Sequence, residues 1–114
     1  FFDQKHTGAA SLTKTYSQDE KTIAEFKDYK FFETLNLNKG INIICKIDVE
    51  GHELEVITQL IRSCLISDLK TIFFECDECW VDKSKIQDKL KSIGFTSFKK
   101  IGKGKNHYDI ISTK

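Results

Sequence analysis

Two apolar runs, INIICKID (41–48) and TIFFEC (71–76), bracket a segment whose apolar residues recur with helical period. That order constrains the fold more than any other feature of the chain. The first run is near-continuous rather than alternating, which predicts a strand buried on both faces, as in a parallel sheet. Leu54, Ile57, Ile61 and Cys64 then keep an i, i+3, i+7 spacing, and Val56, Leu60 and Leu65 widen the stripe. This predicts a helix over 53–65. SDLK (67–70) reads as the turn into the second strand. A crossover of a dozen or more residues, usually helical, is what joins two parallel strands.

Downstream, Asp82 or Ser84 is placed to cap another helix, with Ile86, Leu90 and Ile93 toward the core and Gly94 at its C-terminal end. FTSFKKIG (95–102) and NHYDIIST (106–113) flank the short link KGK and predict an antiparallel hairpin. Upstream, DYKFFETLNL (28–37) puts Tyr29, Phe32 and Leu35 on one face of a short helix, followed by the turn signal Asn38-Lys39-Gly40. Residues 6–21 are rich in Thr, Ser, Gly and charge and read as irregular. The expected organisation is one α/β domain over 1–114. An irregular and helical lead-in spans 1–40, and strand-helix-strand-helix-strand-strand spans 41–114, with helices flanking a mainly parallel sheet.

The charge balance narrows the function classes. Net charge is +1 and the isoelectric point is near 7.8, so no strong field favours nucleic acid or an anionic membrane. No apolar run approaches the ~20 residues of a spanning helix, and the N-terminus has no signal-peptide pattern. A cytoplasmic protein is expected. The chain contains no Met and no Pro and opens on FFD, which suggests a piece of a longer protein.

In open α/β sheets, ligands bind beyond the carboxyl ends of the strands. Two polar clusters fall there: Asp48-Val49-Glu50-Gly51-His52-Glu53 and Glu75-Cys76-Asp77-Glu78-Cys79-Trp80. If the strands are adjacent and parallel, both clusters share one rim. Asp48 then ends its strand pointing into the crevice, and Lys46, two residues earlier, shares its face. Glu50 suits a metal or a proton, and His52 titrates near neutrality and suits a general base. Each has a plain structural account as well: acids near a helix start are worth ~0.3–1 kcal/mol there, and Gly51 permits a tight turn.

Cys76 and Cys79 form a CxxC, but Asp77 and Glu78 between them raise thiol pKa values, and one CxxC supplies only half of a zinc site. Cys45 and Cys64 sit in core-facing patterns, so all four cysteines are expected reduced and unpaired. His6 and His107 read as isolated surface residues. Trp80 reads as a cover for the sheet rim or a lid over a ligand. KKIGKGK (99–105) reads as a solvated hairpin tip.

CKIDVEGHELEVI (45–57) resembles the signature of the FkbM-type methyltransferases, a family that uses S-adenosylmethionine. Lys46, Ile47, Asp48, Glu50, Gly51, Glu53 and Leu54 match it. GAASL (8–12) resembles a small-residue segment upstream in that family. TIFFEC resembles the following strand, ending in Glu75, and IQDKLKSIGF (86–95) resembles the helix that leads to Gly-aromatic. The resemblance implies a doubly wound, Rossmann-like sheet of seven strands whose last strand is antiparallel, with 41–113 supplying the fourth to seventh. It implies O-methylation of a sugar or natural-product hydroxyl, hence a small-molecule or glycan acceptor. It places Asp48 beside both the cofactor's methionine end and the acceptor, and Glu50, His52 and Glu75 on the acceptor side. His52 or Asp48 would take the acceptor's proton, or a divalent metal on the carboxylates would lower its pKa.

The family's glycine-rich loop has no counterpart here, nor has the acid after its second strand, and Thr34-Leu35-Asn36 departs from its Thr-Leu-Asp segment. The resemblance therefore implies the C-terminal half of the domain. Such a half would bind S-adenosylmethionine weakly or not at all, and its 41–48 strand would be an edge prone to self-association. Two other readings stand beside it: a non-catalytic α/β interaction module, and a CxxC redox or metal-binding protein.

Overall fold

The computed structural model describes residues 27–114. GAASL, His6 and the irregular reading of 6–21 lie outside the described residues. A 3₁₀ helix, Tyr29–Leu35, stands where a short helix is expected. Then follow β1 (Ile43–Ile47), α1 (Glu53–Arg62), β2 (Leu69–Asp77), α2 (Lys83–Lys91), β3 (Ser97–Ile101) and β4 (His107–Thr113). The four strands form one mixed sheet in the order β1-β2-β4-β3.

β1 and β2 pair in parallel through the α1 crossover. β4 inserts between β2 and β3 and runs antiparallel to both. β1, β2 and β3 therefore run in one direction and β4 alone opposes them, which agrees with the expected mainly parallel sheet ending in an antiparallel hairpin, although β1–β2 is the one parallel contact among the described residues. β3 and β4 do form a hairpin, but β4 folds back to occupy the place beside β2.

The core lies on one face of the sheet. Ile57 and Leu60 of α1 and Ile86 and Leu90 of α2 pack on Ile72, Phe74, Cys76, Tyr108 and Ile110. From Thr71 onward β2 alternates, with Ile72, Phe74 and Cys76 buried and Phe73, Glu75 and Asp77 half-buried. On the other face Ile44 is 74% exposed, Phe73 and Ile111 are half-buried, and no helix of the described residues covers them. Among the described residues β1 is therefore packed on one face only, where the sequence predicts burial on both. It is the five-residue edge strand of the described sheet, with Ile43, Cys45 and Ile47 inward and Ile44 and Lys46 outward. The apolar side chains of Ile44 and Cys45 hide this alternation from a reading of pattern alone.

Local chemistry sets the helix ends. At the end of α1, the Ser63 amide and hydroxyl both donate to the Leu60 carbonyl, at 3.1 and 2.7 Å. The helix stops there, and Cys64 lies beyond it in an exposed turn rather than in the core. The chain then enters β2 at Leu69, inside the segment expected to be a turn. Asp82, not Ser84, caps α2 by accepting from the Lys85 amide at 3.2 Å. That bond holds its carboxyl below the usual range. Gly94, at φ 95, ends α2, with its amide donating to Lys91 and the Phe95 amide donating to Leu90. This bond pair needs a left-handed residue and brings Phe95 back to the core, where it is 1% exposed.

Candidate functional site

Because β1 and β2 are parallel neighbours, their carboxyl ends open onto one rim, as the sequence predicts. Because β4 is antiparallel, its first residue arrives at that rim too: His107 pairs with Asp77 across the ladder. The loop after β1 turns through two successive left-handed residues, Glu50 at φ 52 and Gly51 at φ 97. Glycine adopts this conformation freely and glutamate does not. A Cβ at Gly51 would also stand 3.3 Å from the Trp80 Cβ, so the loop after β2 packs on the loop after β1 at this residue.

Glu53 fixes the first loop from beneath. It is 1% exposed, and its Oε1 accepts from the Val49 amide at 3.4 Å and the Gly51 amide at 3.3 Å. Its Oε2 is buried and has no hydrogen-bond partner. Above it, Asp48, Glu50 and Glu75 each offer one carboxylate oxygen, and the three oxygens lie within 4.8 Å of one another. Lys46 donates to Asp48 Oδ2 at 2.7 Å, which confirms their shared face and holds the lysine above its ordinary pKa. A cavity of about 100 Å³ is lined by Glu50, Glu53, Glu75, Asp77, Trp80 and His107.

His107 is not the isolated surface residue that the sequence suggests. Its Nε2 is 2.5 Å from Glu75 Oε1, and its Nδ1 is 3.9 Å from Asp77 Oδ2. The Glu75 hydrogen bond, then its charge, raise the imidazole's pKa. Only the β2–β4 register reveals this residue, and no local motif marks it.

His52 goes elsewhere. It lines a separate, mainly apolar cavity of about 570 Å³ around Phe31, Phe32, Val49 and Val56. Its Nδ1 is 3.9 Å from Glu55 Oε2, and its Nε2 is buried without a partner. The structure thus gathers Lys46, Asp48, Glu50 and Glu75 at one place and leaves His52 out of that cluster.

The second loop carries two more features. Trp80 is 55% exposed and also lines an open cavity of about 580 Å³ with Glu78, Asp82 and Lys83. The Tyr108 hydroxyl donates to Glu78 and accepts from Lys83 Nζ at 3.0 Å, while Lys100 Nζ lies 3.8 Å from the centre of the Tyr108 ring. The CxxC does not act as a pair. Cys76 is buried in the core, Cys79 is exposed, and all four cysteines are free. Burial raises the Cys76 thiol and Asp77 raises that of Cys79, opposite to what a reactive thiolate requires.

No helix among the described residues is long and apolar enough to cross a membrane. Comparison of the chain with protein-family models, with curated proteins and with solved structures finds no match.

Proposed function

We propose that this chain is the acceptor-side half of an S-adenosylmethionine-dependent methyltransferase domain that modifies a hydroxyl of a sugar or another small molecule. One observation carries the reading. Asp48, Glu50 and Glu75, which belong to the segments that resemble the FkbM-type family, converge within 4.8 Å at the carboxyl ends of adjacent parallel strands. The antiparallel run of β4, the last strand, agrees with the same reading.

The described residues do not by themselves fit the cofactor. The acidic cavity is about 100 Å³, below the ~300 Å³ at which small-molecule sites begin. The larger cavity beside His52 contains none of the three clustered carboxylates. The role assigned to this chain is therefore limited to the acceptor. Asp48, Glu50 or Glu75 accepts the hydrogen of an acceptor hydroxyl, which fixes the direction of its oxygen and gives the proton a place to go. Lys46, already bound to Asp48, tempers the negative charge at the outer side of the cluster. Trp80 offers an exposed aromatic face to the apolar side of a sugar ring.

The test compares this chain with one extended by its upstream coding sequence. The extended chain is expected to carry a glycine-rich strand-turn-helix, to bind S-adenosylmethionine with micromolar affinity by calorimetry, and to transfer labelled methyl to a hydroxylated acceptor. Asp48→Asn is expected to abolish transfer while leaving that binding measurable. Upstream sequence without such a segment, or an extended chain that binds no cofactor, defeats the reading.

A second reading, a non-catalytic interaction module, is favoured by the sheet face bearing Ile44, Phe73 and Ile111, which no described helix covers. The same upstream sequence decides between them.

A further inference from the structure

We infer that the rim of β1 and β2 holds one hard divalent cation, of the class of Mg²⁺, Mn²⁺ and Ca²⁺, with Asp48, Glu50 and Glu75 as its protein ligands. Oxygens on opposite sides of one ion stand ~4.8 Å apart for Ca²⁺, at ~2.4 Å per bond, and ~4.2 Å apart for Mg²⁺. The three oxygens here lie within 4.8 Å of one another, close enough for a single ion to draw all three into its coordination shell. An all-carboxylate set selects hard cations over zinc or copper.

Each ligand has an oxygen to give. Lys46 occupies only Oδ2 of Asp48, and His107 only Oε1 of Glu75. Glu50 makes no hydrogen bond or ion pair among the described residues. Its left-handed backbone places it in the turn that follows β1.

Glu53 supplies the independent observation. It lines the same cavity as Glu50 and Glu75, is 1% exposed, and leaves Oε2 buried with no partner. A buried carboxylate oxygen is costly unless a water or a cation meets it. Among the described residues four carboxylates, those of Glu50, Glu53, Glu75 and Asp77, line this cavity, against one basic side chain, His107. A bound cation balances that charge. At about 100 Å³ the cavity also has room for a few waters at ~30 Å³ each, enough to fill out the ion's coordination. The free oxygen of Glu53 then has a metal-bound water to accept from.

This inference does not rest on the methyl-transfer reading, because its readout is binding by the 114-residue chain itself. Mn²⁺ is titrated into the chain and followed by the paramagnetic resonance of free Mn²⁺ and by water-proton relaxation. One saturable site per chain is expected, with Mn²⁺ displaced by Ca²⁺ or Mg²⁺. Glu50→Gln and Asp48→Asn should each weaken binding at least tenfold, and Glu53→Gln several-fold. Glu78→Gln, which removes a carboxylate of the Tyr108 cluster, should leave it unchanged. Circular dichroism checks each variant. Should Glu53→Gln unfold, the partly exposed Glu50 carries the test alone. No saturable binding at millimolar Mn²⁺, or equal binding by wild type and Glu50→Gln, overturns the proposal.

Discussion

The His107 imidazole lies 2.5 Å from the Glu75 carboxylate across 32 positions of sequence. The bond ties the first residue of β4 to the end of β2, on the rim where the loop after β1 also arrives. Both side chains face away from the core, so the contact belongs to the rim and not to the fold's interior.

Replacing His107 with alanine should therefore leave the fold intact. Exposed ion pairs contribute ~0–1 kcal/mol, and a thermal melt should shift by a correspondingly small amount. If the carboxylates bind a cation, the same variant should bind Mn²⁺ more tightly, because a competing positive charge has gone. Weaker Mn²⁺ binding would make His107 a ligand instead.

The one-sided core makes a contrasting pair of predictions. Ile57 is fully buried between α1 and the sheet, and Ile57→Ala should cost ~2–5 kcal/mol in urea unfolding. Ile44 is 74% exposed, and Ile44→Ala should stay within ~0.5 kcal/mol of wild type. A large loss at Ile44 would mean that its face is covered.

The local elements of this fold are legible in the sequence. The β1–α1–β2 order, the Asp82 cap and the Gly94 stop all depend on residues within a few positions of one another, and all three appear where expected. The shared face of Lys46 and Asp48 follows from strand geometry alone. The placement of β4 beside β2 depends on pairing between residues 30 or more positions apart, from Asp77 with His107 to Thr71 with Thr113, which no local pattern encodes. Local pattern therefore leaves His107 looking isolated. His52 was legible as a polar residue at a helix start, but as the residue preceding α1 its ring meets the Phe31–Phe32 side rather than the acids. Apolar spacing puts Cys64 in the core, but the Ser63 hydroxyl ends α1 before that position.

Gly104 sits where no side chain fits. A Cβ there would lie 1.8 Å from the His107 carbonyl oxygen, a backbone atom that cannot swing aside. Gly104→Ala should lower the thermal midpoint and speed amide exchange across β3 and β4 before it touches α1. Uniform destabilisation with unchanged hairpin protection would argue otherwise.

Tyr108 gives a pH prediction. Its hydrogen bond holds Glu78 below the ordinary glutamate range of ~4.3. A depressed carboxyl stabilises the fold fully above its unfolded pKa, and that contribution fades as pH falls through the lower, folded value. Tyr108→Phe should thus be less stable than wild type at pH ~7 by urea titration, with the gap narrowing below pH ~4 as Glu78 protonates. A gap independent of pH would assign the loss to packing or to Lys83 rather than to the carboxylate.

Among the described residues β1 is hydrogen-bonded on one side only, so its outer edge carries a direction. A strand added there in parallel would deliver its carboxyl end beside Asp48, and one added antiparallel would deliver its amino end. The acidic rim is therefore a place where a newcomer's polarity decides which chemistry it contributes, before any of its side chains is chosen.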